Sequence, residues 1–154
     1  MSARGRRIAA AALAVFLVAV AVLVLWPQHP QVQGVFRVLD RMLAPFVRDG
    51  LPARVLGNGA LEFAGNIAMF VPLGFLGTLA LPRRLWWIAP LACLALSCGI
   101  ETTQLLFLPG RTFSVRDIVG NTTGGLLGTA VAVAVQAGVS WASSRYASGA
   151  TRRT

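Results

Sequence analysis

The sequence predicts an all-α integral membrane protein, a bundle of four transmembrane helices with an amphipathic interfacial helix between the first and the second. Three observations carry that expectation. Four apolar stretches are each long enough to cross a bilayer core, which takes about 20 helical residues. Only 12% of the 154 residues are charged and 56% are hydrophobic, whereas a soluble domain is about 25% charged. All four tryptophans, Trp26, Trp86, Trp87 and Trp141, fall near the ends of apolar stretches, where an indole settles at the membrane–water interface.

The chain divides as follows. Residues 1–7 form a basic N-terminus with Arg4, Arg6 and Arg7. The first span, residues 8–26, runs uncharged from Ile8 to Trp26. It exceeds the apolar core of a signal peptide and no convincing small-residue cleavage site follows before Trp26-Pro27, so it reads as an uncleaved membrane helix. In residues 31–48, Val32, Val35, Phe36, Leu39, Met42, Leu43, Phe46 and Val47 recur at intervals of three and four. Arg37, Asp40, Arg41 and Arg48 take the other faces, the pattern of a helix lying in the membrane interface. Pro45 kinks or shortens it. Residues 51–59, with one Pro and two Gly, read as a loop. The core, residues 60–140, holds three further spans, Ala60–Leu81, Leu85–Leu108 and Asp117–Val139. Residues 146–154 are small and polar and read as a disordered tail.

Several chemistries are excluded. Every one of the 14 cationic residues is Arg, so a phosphate-binding loop that needs Lys is impossible. Cys93 and Cys98, five apart on one helix, point in different directions and suit packing better than a disulfide. His29 has no Cys or His companion, and no zinc-like spacing occurs. Neither a metal nor a cofactor is expected. The Arg residues stand at helix ends, which argues against nucleic acid as a partner and for a topological role. With the N-terminus inside, eight Arg fall on the cytoplasmic side and six outside. This predicts a multi-pass protein of the bacterial cytoplasmic membrane with both termini in the cytoplasm.

The five carboxylates are few enough for each position to matter. Glu62 opens the second span, with Asn66 one turn on. Ser97, Glu101 and Gln104 share one face of the third. Arg111 lies in the loop that follows, with Ser114 and Arg116, and Asp117 and Asn121 open the fourth span. Because spans alternate in direction, Glu62, Asn66, Glu101, Gln104, Arg111, Asp117 and Asn121 all belong to one membrane face, extracytoplasmic if the N-terminus is inside. A charge at the centre of a membrane helix costs about 2.5–3.5 kcal/mol on insertion scales, so such groups turn inward and pair. Simpler roles exist for several of them. Asp117 and Glu62 suit helix N-termini, and Gly124-x-x-x-Gly128 suits close helix packing. No capping role is available to Glu101.

Three blocks in this order resemble the VanZ family: Asn66-Ile67-Ala68-Met69-Phe70-Val71-Pro72-Leu73-Gly74-Phe75, then Glu101-x-x-Gln104, then Arg111-Thr112-Phe113-Ser114-Val115-Arg116-Asp117 followed by Asn121, Gly124 and Gly128. They cover about residues 62–128. The resemblance implies an integral protein of the bacterial envelope and a link to glycopeptide (teicoplanin) resistance, without supplying a reaction. Where the family's loop often carries acidic residues before the final Asp, Ser114 and Arg116 stand here, which speaks against an acidic metal-binding cluster.

Two roles follow as expectations. In the first, an outward-facing site binds or processes an envelope or lipid-linked molecule. Glu101 and Asp117 are then its catalytic pair, and Arg111, Asn66, Gln104, Asn121 and Glu62 contact an anionic group or its neighbours. In the second, the chain is a non-enzymatic scaffold or interaction module, and the same polar groups form a structural network. Membrane lipids are expected partners in both.

Overall fold

The computed structural model describes residues 2–25, 58–108 and 112–151. Four helices make up the fold: α1 (Ala3–Leu25), α2 (Asn58–Ala80), α3 (Ile88–Phe107) and α4 (Val115–Thr151), with a short 3-10 turn at Arg83–Leu85 between α2 and α3. All four are long and apolar enough to cross a membrane, and no strand occurs among the described residues. The amphipathic helix expected at residues 31–48 lies outside the described residues, as do residues 51–57 of the loop, His29 and Arg111.

Helix ends differ from the sequence expectation for local reasons. Ser2 Oγ accepts the Gly5 N–H at 3.2 Å, so α1 begins at Ala3 and takes in the three basic residues. An Asn58 start puts Glu62 a turn inside α2 instead of at its opening. Pro82 and the 3-10 turn delay α3 to Ile88 rather than Leu85. Ser114 Oγ accepts the Asp117 N–H at 3.2 Å, an N-cap that starts α4 at Val115. At its other end α4 passes Val139 and continues to Thr151, into the segment expected to be a tail. Residues 140–151 are mostly Ala and Ser with no Pro, so nothing in them breaks the helix.

The central pair is α2 against α4; α1 packs on α2, and α3 on α4. The buried apolar core is small, formed by Phe70, Leu73 and Cys93 with Leu13, Phe16 and Leu17 of α1 and Leu96 and Ile100 of α3 around it. Many large apolar side chains, among them Val18, Leu106, Phe107, Leu126 and Val139, point outward. That arrangement suits a hydrocarbon surround, which solvates apolar groups at no cost.

What joins α2 to α4 is the absence of side chains. A Cβ at Gly124 would meet the Ile67 carbonyl, one at Gly128 the Val71 carbonyl, and one at Gly74 the Gly125 backbone. Gly120 continues the same face, where a Cβ would stand 3.1 Å from the Phe63 ring and 3.3 Å from Asn66 Cβ. The Gly124/Gly128 pair therefore extends one turn further than the sequence suggested. Bringing backbones together in this way maximises dispersion contact, which membrane helices need in place of a hydrophobic drive.

Gly128→Ala is expected to lower the stability of the detergent-solubilised chain by about 1–3 kcal/mol, the cost of overpacking a tight contact. Gly99→Ala should cause no loss, since a Cβ there meets nothing within 4 Å. Thermal unfolding of the two variants followed by circular dichroism measures the difference.

Candidate functional site

The glycine contact sets the direction in which the next residues of α4 point. Asn121 and Gly125 each follow a packing glycine by one position and face α3. A Cβ at Gly125 would lie 2.6 Å from Cys93 Cβ, and Asn121 Nδ2 donates to Ser97 Oγ at 2.9 Å. Asn121 and Ser97 are both buried. One turn nearer the membrane face, the Ser114 backbone N–H donates to Glu101 Oε2 at 2.7 Å. Glu101 is only 3% exposed. Gln104, also buried, donates through Nε2 to the Val24 carbonyl at 3.1 Å and so ties α3 to the end of α1.

The structure brings together Glu101, Gln104 and Asn121 with Ser97 and Ser114, from both helices and the connecting segment. Ser97, Glu101 and Gln104 do share one buried face. Asp117 is half-buried in the first turn of α4, where a carboxylate favours the positive helix end. Asn66 is half-buried and packs toward Gly120. Glu62 is exposed at the same end of the bundle. Arg116 is exposed too; its guanidinium rests 5.5 Å from the Phe63 ring centre and covers Gly59. It thereby closes the N-terminal ends of α2 and α4 against each other by a cation–π contact.

Two oxygens stand out in this region. Asn121 Oδ1 and Thr122 Oγ1 are buried side-chain acceptors with no hydrogen-bond partner. An unsatisfied buried polar atom costs about 1–3 kcal/mol, and Asn121 Oδ1 sits in the residue already bonded to Ser97, next to the Glu101 turn. The cluster thus offers a carboxylate fixed on a backbone amide and a neutral acceptor with an open valence. It can take up a group that donates hydrogen bonds, or a proton.

Ser114 was missing from the expected site. Its signal was present, because Ser114-x-x-Asp117 before an apolar run is the pattern of a helix start. Its amide contact with Glu101 carries no such pattern. No group of three or more potential metal ligands occurs among the described residues.

A family model described as VanZ/LLP1 matches residues 11–136, which includes every described residue of the cluster. No curated protein and no solved structure matches the chain.

The Ser97–Asn121 bond is directly measurable. A double-mutant cycle of Ser97→Ala and Asn121→Ala should give a coupling of about 0.6–1.7 kcal/mol, the range found for hydrogen bonds between membrane helices. Stability of the four proteins in a common detergent provides it.

Proposed function

From the premise that the chain belongs to the VanZ/LLP1 family, we propose that it is a bacterial envelope protein whose buried polar cluster binds or processes an envelope or lipid-linked molecule at the outer membrane–water interface. The observation that carries this is Glu101, a carboxylate 3% exposed within a membrane helix and held on the Ser114 amide. The Ser114 amide is one of its partners. A carboxylate at that depth adds a desolvation cost, and an ionisable group gives something in return only if its charge or its proton is used.

In this reading Glu101 takes or returns a proton on a bound hydroxyl or amine, and Asp117, at the start of α4, orients it. Asn121 and Asn66 supply neutral hydrogen bonds. Arg116 and Arg111 attract a phosphate or carboxylate carried elsewhere on the ligand. The resemblance to a family linked with teicoplanin resistance supports a ligand among cell-wall precursors or the lipids that carry them.

A second reading has specific support. Glu101 and Gln104 both bond to backbone groups, Ser114 N–H and Val24 C=O, as members of a network that fixes helices in place would do. One pair of variants separates the readings. Glu101→Gln keeps an acceptor for the Ser114 amide, whereas Glu101→Ala does not. If the site acts on a ligand, Glu101→Gln reaches the membrane at normal level yet loses a teicoplanin-tolerance phenotype at least tenfold. If the cluster is structural, Glu101→Gln and Glu101→Ala both lose abundance in the membrane.

The sidedness is tested separately. With exposed Cys98 replaced by Ser, a cysteine at exposed Thr112 should react with an impermeant thiol reagent on intact cells. Labelling only after lysis places the cluster on the cytoplasmic face.

A further inference from the structure

The amide donors of the polar cluster are committed, and some of its acceptors are not. Asn121 Nδ2 donates to Ser97 Oγ, the Ser114 N–H to Glu101 Oε2, and Gln104 Nε2 to the Val24 carbonyl. Asn121 Oδ1 and Thr122 Oγ1, by contrast, are buried without a partner, in a residue only 3% exposed in the case of Asn121. Thr122 is also unlike its neighbours. Thr78, Thr102, Thr103 and Thr123 each donate to the carbonyl four residues back, at 2.7–2.8 Å. The Thr122 hydroxyl makes no such bond.

Helix geometry locates these two oxygens. At about 100° per residue, Thr122 is about 60° round α4 from Gly125 and about 160° from Gly124. Gly125 faces Cys93 of α3, and Gly124 faces Ile67 of α2. Thr122 therefore belongs with Asn121 to the seam between α3 and α4, on the side away from α2. Leu96 and Ile100 of α3 turn the other way, into the core. The flanks of the seam are exposed and apolar: Leu94 and Cys98 on α3, Val119 and Leu126 on α4. α3 also packs less extensively on α4 than α2 does. The seam is thus the approach to the cluster from the hydrocarbon.

We propose that the seam between α3 and α4 takes the primary ammonium group of an amphiphile from the bilayer, with Asn121 Oδ1 and Thr122 Oγ1 accepting its N–H bonds. The inference names the ligand of the site proposed above and rests on that reading. An ammonium donates hydrogen bonds and accepts none, which complements acceptors left over where the amide donors are in use. A quaternary ammonium has the charge but no N–H. Opposite charges pair inside a membrane, and Glu101, which keeps the partners it has, is the carboxylate nearby. Both oxygens are covered, so the ammonium reaches them as α3 draws back from α4. In that exchange two acceptors that are unpaired in the closed arrangement gain donors.

The test uses the full chain in detergent, titrated with dioleoyl phosphatidylethanolamine, dioleoyl phosphatidylcholine or dioleoylglycerol and read by native mass spectrometry. The two phospholipids have the same net charge and differ at the nitrogen, which bears N–H donors in one and methyl groups in the other. Phosphatidylethanolamine should bind at least fivefold more tightly than phosphatidylcholine. Thr122→Val keeps the shape, removes the oxygen and should lower phosphatidylethanolamine affinity at least threefold. Thr122→Ser keeps the oxygen and should bind as the parent does. Thr123→Val removes a hydroxyl already bonded to the Val119 carbonyl and should change affinity less than twofold. Circular dichroism checks that each variant is folded, and Thr122→Ala replaces Thr122→Val if that one is not. Equal affinity for the two phospholipids overturns the proposal. So does an unaffected Thr122→Val, an equal loss in Thr123→Val, or dioleoylglycerol binding as tightly with the same dependence on Thr122, which would assign the seam to hydroxyls. The ligand-site reading itself fails on a different result, the loss of Glu101→Gln from the membrane, so the two failures are distinguishable.

Discussion

The fold depends on how closely α2 and α4 approach. A helix pair in lipid gains nothing by hiding apolar surface, so its contact must come from dispersion and polar bonds at short range. Gly74 on one helix and Gly120, Gly124 and Gly128 on the other remove the side chains that would hold the backbones apart. The same closeness fixes the rotation of α4 about its axis. Because those glycines must face α2, Asn121 and Gly125 must face α3, and Thr129 must sit at the edge of the α2 contact. There Thr78 Oγ1 donates to the Gly74 carbonyl at 2.8 Å and lies 3.2 Å from Thr129 Oγ1. The bond to the carbonyl lies within α2 and satisfies the Thr78 hydroxyl; the contact with Thr129 is the one that crosses to α4.

The antiparallel register of α3 on α4 then follows residue by residue. Cys93 meets Gly125, Ser97 meets Asn121, and Glu101 meets the Ser114 amide just before α4 begins. Polarity rises along this seam toward the membrane face, from a thiol through a hydroxyl–amide pair to a carboxylate. Such a gradient follows the cost of desolvation, which is largest for full charge and least tolerable at the centre. It also places Glu101, the deeply buried carboxylate among the described residues, where a backbone amide at a helix start meets it.

Much of this was legible in the sequence, and the part that was not has a physical reason. Hydropathy fixed four spans because about 20 apolar residues have few other uses. Helical periodicity put Ser97, Glu101 and Gln104 on one face, and alternation of spans put them at the same end as Asp117 and Asn121. Partners were another matter. Gln104 reaches a carbonyl of α1, eighty residues away, and Glu101 reaches a main-chain amide; neither acceptor nor donor has a residue type to read. The ends of α3 and α4 were missed because caps and a 3-10 turn, not hydropathy, decide them. The Arg83 contacts with Gln136 and Ser140 join residues that look like ordinary interfacial polarity until the turn at Arg83–Leu85 brings them together.

The two ends of the bundle treat charge in opposite ways, and the difference limits what each can do. At one end the Glu101 carboxylate is withdrawn from water and accepts from the Ser114 amide. At the other end several guanidiniums stay at the surface, held by neutral acceptors or stacked on indole. A net charge of +9 on a chain with five acids is therefore not one property but two. Among the described residues, exposed arginines stand at one end of the bundle, and the buried carboxylate of Glu101 stands at the other.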